Sequence, residues 1–274
     1  FASGPFTGNP LAVVLEGDGL STDDMQRITD WTNLSEATFL LPPTDPTADY
    51  RVRIFCPGRE LPFAGHPTLG SCAAWLATGA TPHRVDRIVQ ECGAGLVPIR
   101  RDGDRLAFAA PPLLRSGPVE AGVLADRLEQ LGLELDRVVD AAWIDNGPGW
   151  LGILLESADA VLDVETPGVT LPGFDVGLVG FHPTGGECAI EVRAFFADAS
   201  GTVREDPVTG SLNASVAQWL TGSGRATAPY VAAQGQRLGR RGRIHVEVSD
   251  DELWIGGRTD VVVSGTIEIA DADG

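Results

Sequence analysis

Lysine is absent from the 274 residues, and every fixed side-chain cation is one of 20 arginines. A coding bias toward arginine accounts for the absence. It still excludes a Schiff-base lysine, a pyridoxal anchor and a P-loop lysine. Only four cysteines occur, Cys56, Cys72, Cys92 and Cys188, and none lies in a C-x-x-C pair. That usage fits an intracellular, reduced protein with buried thiols. The four histidines show no ligand spacing, so no metal site is expected. No apolar run approaches the ~18 residues of a membrane span. A net charge of -18 argues against nucleic-acid and anionic-membrane partners. Neither G-x-S-x-G nor G-x-G-x-x-G after a strand is present, which removes the hydrolase elbow and the dinucleotide fingerprint. No signal peptide is read at the start, and a cytoplasmic protein is expected.

What remains is a globular composition, 43% hydrophobic and 21% charged, long enough for two domains. Asp206-Pro-Val-Thr-Gly-Ser211 reads as a helix start, with Asp206 as N-cap, Pro207 in the first helical position and a helix through Leu220. His66-Pro-Thr-Leu-Gly-Ser71 has the same form, and its helix over 68–78 is apolar almost all round, the mark of a helix buried on every side. Residues 21–34 read as a helix capped by Ser21, with Met25, Ile28 and Trp31 on one face. Trp31, Trp75 and Trp219 are expected in the core. Strands are expected at 11–15, 37–41, 50–56, 85–90, 96–100 and 106–109, and a further helix at 123–133.

Three blocks recur at one offset of 140 positions. Leu11–Glu16 matches Leu151–Glu156, Val52-Arg-x-Phe55 matches Val192-Arg-x-Phe195, and the His66 motif matches the Asp206 motif. The expected fold is therefore α+β with two pseudo-symmetric domains. Each is an antiparallel or mixed curved sheet, or a barrel, around a central buried helix. The domains are placed at 1–112 and 113–261, joined near Pro111–Ser116, with a final strand at about 262–274 packing back onto the first. A pseudo-two-fold would bring the two helix starts together across a cleft, a common place for small ligands.

Glu36 is the carboxylate of most interest. It lies at the mouth of an apolar strand, where desolvation raises a carboxyl pKa toward a value useful in proton transfer; an exposed strand-edge glutamate is the competing reading. His66 at a helix start is held neutral by the dipole, or is a plain cap. Asp206 competes with a simple N-cap, and Ser71 and Ser211 with small packing residues. At the offset of 140 the position of Glu36 falls on Val176, which leaves Glu36 unmatched.

Gly8-Asn-Pro-Leu-Ala-Val-Val14, Asn33-x-Ser-Glu36-x-Thr-Phe39, Phe63-Ala-Gly-His-Pro-Thr68 and Glu205-Asp-Pro-Val-Thr-Gly-Ser211 stand in this order over most of the chain. In them the chain resembles the PhzF-like family of phenazine biosynthesis, related in fold to diaminopimelate epimerase. The resemblance implies a cofactor-free isomerase, commonly a homodimer, with its site between two domains. It makes Glu36 the general acid/base, with His66, Asp206 and Ser211 as the polar groups around the substrate. Asn9, Gly65 and Gly210 fall in the substrate-binding motifs, the glycines letting backbone N–H groups approach a substrate carboxylate. The catalytic cysteines of the epimerase relatives are missing from both motifs, which argues against a two-thiol racemase.

The expected function is a cofactor-independent isomerase of secondary metabolism, in the manner of antibiotic biosynthesis. It would move a proton along an unsaturated, carboxylate-bearing small molecule, with Glu36 removing and returning it. A two-base epimerase, with Asp206 as second base, and a non-catalytic binder of small acids are the alternatives.

Overall fold

The computed structural model describes residues 1–168, 170–198 and 200–268. Its first half runs β1 (Ala12–Val14), α1 (Thr22–Thr32), β2 (Ala37–Leu41), β3 (Tyr50–Cys56), β4 (Arg59–Leu61), α2 (Gly65–Ala77), β5 (Ile88–Cys92), β6 (Gly95–Asp102) and β7 (Arg105–Ala109). The second half adds β8 (Arg115–Pro118), α3 (Ala121–Leu131) and β9 (Val138–Asp145) before repeating the plan. The repeat runs β10 (Leu151–Leu155), α4 (Ala158–Asp163), β11 (Asp175–Phe181), β12 (Ile190–Ala197), β13 (Val203–Asp206), α5 (Gly210–Gly222), β14 (Tyr230–Gln234), β15 (Gly242–Ser249) and β16 (Glu252–Arg258).

Strand pairing makes the duplication explicit. The order is β1-β2-β3-β5-β6-β7-β16-β15-β14-β12-β11-β10-β9-β8, with β4 on β3 and β13 on β12. Each half pairs its first two strands in parallel, β1 with β2 and β10 with β11. Each also pairs β3 with β5, or β12 with β14, in parallel. The halves join where β7 meets β16 antiparallel, so a pseudo-two-fold lies at that junction. Of the final strand expected at about 262–274, residues 262–268 form no strand and 269–274 lie outside the described residues; β16 is the strand of the second half that meets the first.

The offset is not uniform. Arg53 pairs across the sheet with Phe39, and Arg193 with Leu178, so β2 and β11 are related by 139 positions while β3 and β12 are related by 140. Ile54 pairs with Leu61, and Ala194 with Asp206, so past the hairpin the offset becomes 145. The longer β12–β13 hairpin absorbs the difference. Both central helices then start in register, at Gly65 and Gly210. His66 is therefore equivalent to Ser211, and Asp206 to Leu61, which corrects the sequence match of His66 with Asp206.

One core embraces both central helices. Leu69 and Cys72 of α2, and Leu212, Val216 and Leu220 of α5, pack with Ile54, Phe108, Val192 and Ile255 from both halves of the sheet. Removing such side chains from water is worth about 1.5–3 kcal/mol each, so the central helices are held by burial from every direction. The outer sheet faces carry separate clusters. Met25 packs on Phe39 and Phe55 under α1, and Leu128, Leu131 and Val161 cover β10–β12.

Helix α1 has the expected Ser21 cap, closed by Asp24 into a capping box. Its Trp31, expected in the core, is 80% exposed. Steps of three residues drift by −60° around a helix. The buried pair is instead Met25 and Thr29, one full turn apart.

Candidate active site

Four of the expected residues converge where the two halves meet. Glu36 directly precedes β2, His66 is the second residue of α2, Asp206 ends β13, and Asn9 lies in the loop before β1. Asn9 holds them together. Its Nδ2 donates to Asp206 Oδ1 at 2.9 Å and to the Val208 carbonyl at 3.1 Å, and stands 3.3 Å from His66 Nδ1. Ser35 Oγ donates to Asp206 Oδ1 at 3.3 Å, and Thr209 Oγ1 to Asp206 Oδ2 at 2.5 Å. Both oxygens of Asp206 are thereby engaged, and its side chain is fixed.

Glu36 and His66 differ in this respect. Glu36 Oε2 and His66 Nε2 are 3.3 Å apart. Their alignment does not make a hydrogen bond, and among the described residues neither buried atom has another partner. Burying a polar atom unpaired is costly, and such atoms in a native fold mark groups kept ready for something else.

Burial also sets the protonation states. It pushes Glu36 well above the ordinary carboxylate range, and the neighbouring charge of Asp206 pushes it further. Burial raises Asp206 to about 6, against the lowering effect of its bonds from Thr209, Asn9 and Ser35. His66 is driven down to about 3 by burial, so its imidazole is neutral. Two carboxyls with raised pKa beside a neutral imidazole are an arrangement suited to proton transfer.

The central helices supply a second element. Neither α2 nor α5 has a side-chain cap at its start, where the N-cap residues are Ala64 and Thr209. Their first N–H groups are therefore available, with the positive end of the helix dipole behind them. Gly65 and Gly210 let the two starts touch, and a Cβ on either would lie 2.7 Å from the other's Cα. Asp206 is not the N-cap of α5, as expected from Asp-Pro. Pro207 and Val208 stay in the loop, the helix begins three residues later, and the carboxylate turns back to Thr209 and Asn9.

Ser211 is placed apart from this cluster. Its Oγ accepts from Trp150 Nε1 at 3.1 Å, and its carbonyl from Asn146 Nδ2 at 2.9 Å. Sequence reasoning missed Ser35, Thr209 and Gln234, although the first two lie inside the quoted motifs. Gln234 accepts from Thr209 N at 2.9 Å and donates to the Asp206 carbonyl at 3.1 Å, which ties β14 to the turn. Among the described residues no group of three His, Cys, Asp or Glu side chains could hold a metal ion. No helix there is long and apolar enough to cross a membrane. The four cysteines are free, and burial pushes the Cys72 thiol up to about 12, which makes it inert.

Comparison with known proteins assigns the chain to a family. Residues 1–267 match the family model of phenazine biosynthesis-like proteins, PhzC-PhzF. The chain is 34% identical to antisense-enhancing sequence 1 of Schizosaccharomyces pombe, over 97% of this chain and 95% of that one. It is also 34% identical to trans-2,3-dihydro-3-hydroxyanthranilate isomerase of Pseudomonas aeruginosa, over 89% of this chain and 86% of the relative. A PhzF-family crystal structure from Enterococcus faecalis shares the fold, with a TM-score of 0.77 at 23% identity over 98% of this chain and 96% of that one. The chain therefore belongs to the phenazine biosynthesis-like family, and it is an enzyme of the isomerase class.

Proposed function

We propose that the enzyme moves a proton along an unsaturated, carboxylate-bearing small molecule, with Glu36 as the general acid/base. The observation that carries this reading is the pair Glu36 Oε2 and His66 Nε2, buried, 3.3 Å apart and otherwise unpartnered. Glu36, with its raised pKa, keeps its proton to higher pH than an ordinary carboxyl and is the stronger base once ionised. Neutral His66 donates to or accepts from the substrate without adding charge. Asp206, fixed by Asn9, Ser35 and Thr209, adjusts Glu36 through its charge. The two uncapped helix starts favour a substrate carboxylate and the negative charge that builds up as the proton leaves. A relative isomerises trans-2,3-dihydro-3-hydroxyanthranilate, a molecule of this class.

The test is turnover of that compound and of other cyclic unsaturated amino acids in D₂O, by the native enzyme and by Glu36→Gln. General acid/base catalysis is worth ~10²–10⁴-fold, and the variant should lose that much. Isomerisation by Glu36→Gln at the native rate would sink the assignment.

A further inference from the structure

Four arginines stand within seven residues at the turn from β14 to β15: Arg237, Arg240, Arg241 and Arg243. Arg237 is paired with Glu165 at 2.6 Å. The other three, with Ala233, Gln234 and Gln236, line a cavity of about 250 Å³. Like charges gathered around one cavity repel, so the grouping costs energy that a bound anion would offset.

The turn is fixed in place. Gly235 has a φ of 92°, and a Cβ there would lie 2.4 Å from the Pro207 carbonyl oxygen and 2.8 Å from Arg240 Cβ. Only glycine fits, and the turn lies directly against the segment that follows Asp206. Arg240 Nη1 donates to the Phe6 carbonyl at 3.0 Å, and Arg241 N to the Thr7 carbonyl at 2.8 Å. Strand pairing sets Arg243 beside buried Ala233, which also lines the cavity. Arg243 is only 17% exposed, and its Nε is buried without a partner among the described residues. A buried N–H left unpaired is a donor waiting for an acceptor.

Two carboxyls oppose an anion here. Glu187 Oε2 lies 3.0 Å from Arg243 Nη2 and 3.4 Å from Arg241 Nη2, and offsets one of the three positive charges. Glu191, which pairs with Ala233 from β12, is raised to about 7 by burial and opposes only in part. Arg240 has no carboxylate partner among the described residues. The charge left over suits a dianion.

We propose that this cavity binds a small phosphate dianion, free or as the ester of a small metabolite. Guanidinium forks meet phosphate oxygens two at a time. The volume falls below the ~300–1,000 Å³ of sites for drug-sized ligands, too small for a nucleotide. None of Asn9, Glu36, His66 and Asp206 lines the cavity. The site is thus distinct from the proton-transfer site and does not depend on the isomerase reading.

Isothermal titration of the native protein, just above neutral pH and at low ionic strength, tests this with inorganic phosphate, glycerol 3-phosphate and acetate. One phosphate per chain should bind at millimolar concentration or below. Arg241→Gln and Arg243→Gln should each weaken binding ~10–100-fold, the loss of one charge-assisted contact. Glu187→Gln should tighten it, because both guanidiniums lose a competing carboxylate. Tighter binding of glycerol 3-phosphate names an ester as the ligand, and tighter binding of inorganic phosphate names the free ion. No saturable binding, or acetate bound as tightly as either phosphate, overturns the proposal. So does an affinity within twofold of native in Arg241→Gln, which would put the anion elsewhere, or a Glu187→Gln that binds no more tightly. Arg241 is 62% exposed and Glu187 57%, so those two variants decide even if Arg243→Gln does not fold.

Discussion

Gly65 and Gly210 touch backbone to backbone at the starts of the two central helices. A Cβ on Gly65 would lie 2.7 Å from the Gly210 Cα and 2.8 Å from Phe108 Cζ; a Cβ on Gly210 would lie 3.0 Å from His66 N. Neither residue needs a positive φ, so the glycines are there for the close approach alone. Gly65→Ala and Gly210→Ala should each cost about 1–3 kcal/mol through overpacking, although alanine is the better helix former by ~1 kcal/mol. Denaturant unfolding checks this. Activity measured where the variants remain folded should also fall, because separating the helix starts moves His66 away from Glu36.

The duplicated hairpins hold the same ion pair in two environments. Arg53–Glu60 is 27% and 41% exposed, whereas Arg193–Glu205 is 1% and 2% exposed. Arg193 also donates to the carbonyls of Val161 and Val164. Glu205→Gln leaves a buried guanidinium short of its charge partner and should cost about 3–5 kcal/mol. Glu60→Gln should cost under about 1 kcal/mol. Equal losses in urea unfolding would show that burial does not set the difference.

Motifs carried most of this fold, and their spacing was where reading failed. β2 and β3 were legible to the residue, because Ala37–Leu41 and Tyr50–Cys56 are apolar or alternating runs with clear ends. Glu36, His66 and Asp206 were legible from their places beside strands and helix starts. Their grouping was not, because Asn9 acts through one amide and leaves no periodic signal. The proline-containing motifs of His66 and Asp206 align by letter at 140, yet hydrogen bonding aligns the helices at Gly65 and Gly210. A five-residue longer hairpin has no signature in composition. A similar slip set Glu36 against Val176 where strand pairing sets it against Asp175, since a one-residue change of register exchanges the faces of a strand.

Ser211 should behave as a packing anchor and not as a reacting group. Its Oγ accepts the indole N–H of Trp150, a residue 3% exposed. Ser211→Ala leaves that donor buried and unpaired, a loss of about 1–3 kcal/mol. Thermal unfolding should record it, with kcat/KM reduced less than about tenfold, below the loss expected for Glu36→Gln. A larger loss of kcat/KM in a stably folded Ser211→Ala would place the hydroxyl on the substrate.

Glu191 gives the fold a pH dependence outside the site. Its side chain is fully buried on β12, with Oε2 3.1 Å from His182 Nε2 and Oε1 unpartnered among the described residues. Burial raises its carboxyl to about 7, although Arg243 and Arg193 pull the other way. The folded value lies above the ordinary 4.5. Its contribution to stability is therefore complete below about pH 4.5 and is lost as pH rises through about 7. Glu191→Gln has no charge to bury. Its stability relative to the native protein should be level between pH 4 and 4.5 and should rise by on the order of 3 kcal/mol by pH 8. Asp175, Asp206 and Glu36 are also raised, and the native protein loses stability through them too as pH rises. Because those groups are common to both proteins, the difference between their urea midpoints at each pH isolates Glu191. A difference that stays constant from pH 4.5 to 8 would mean that Glu191 ionises in the fold as easily as in water.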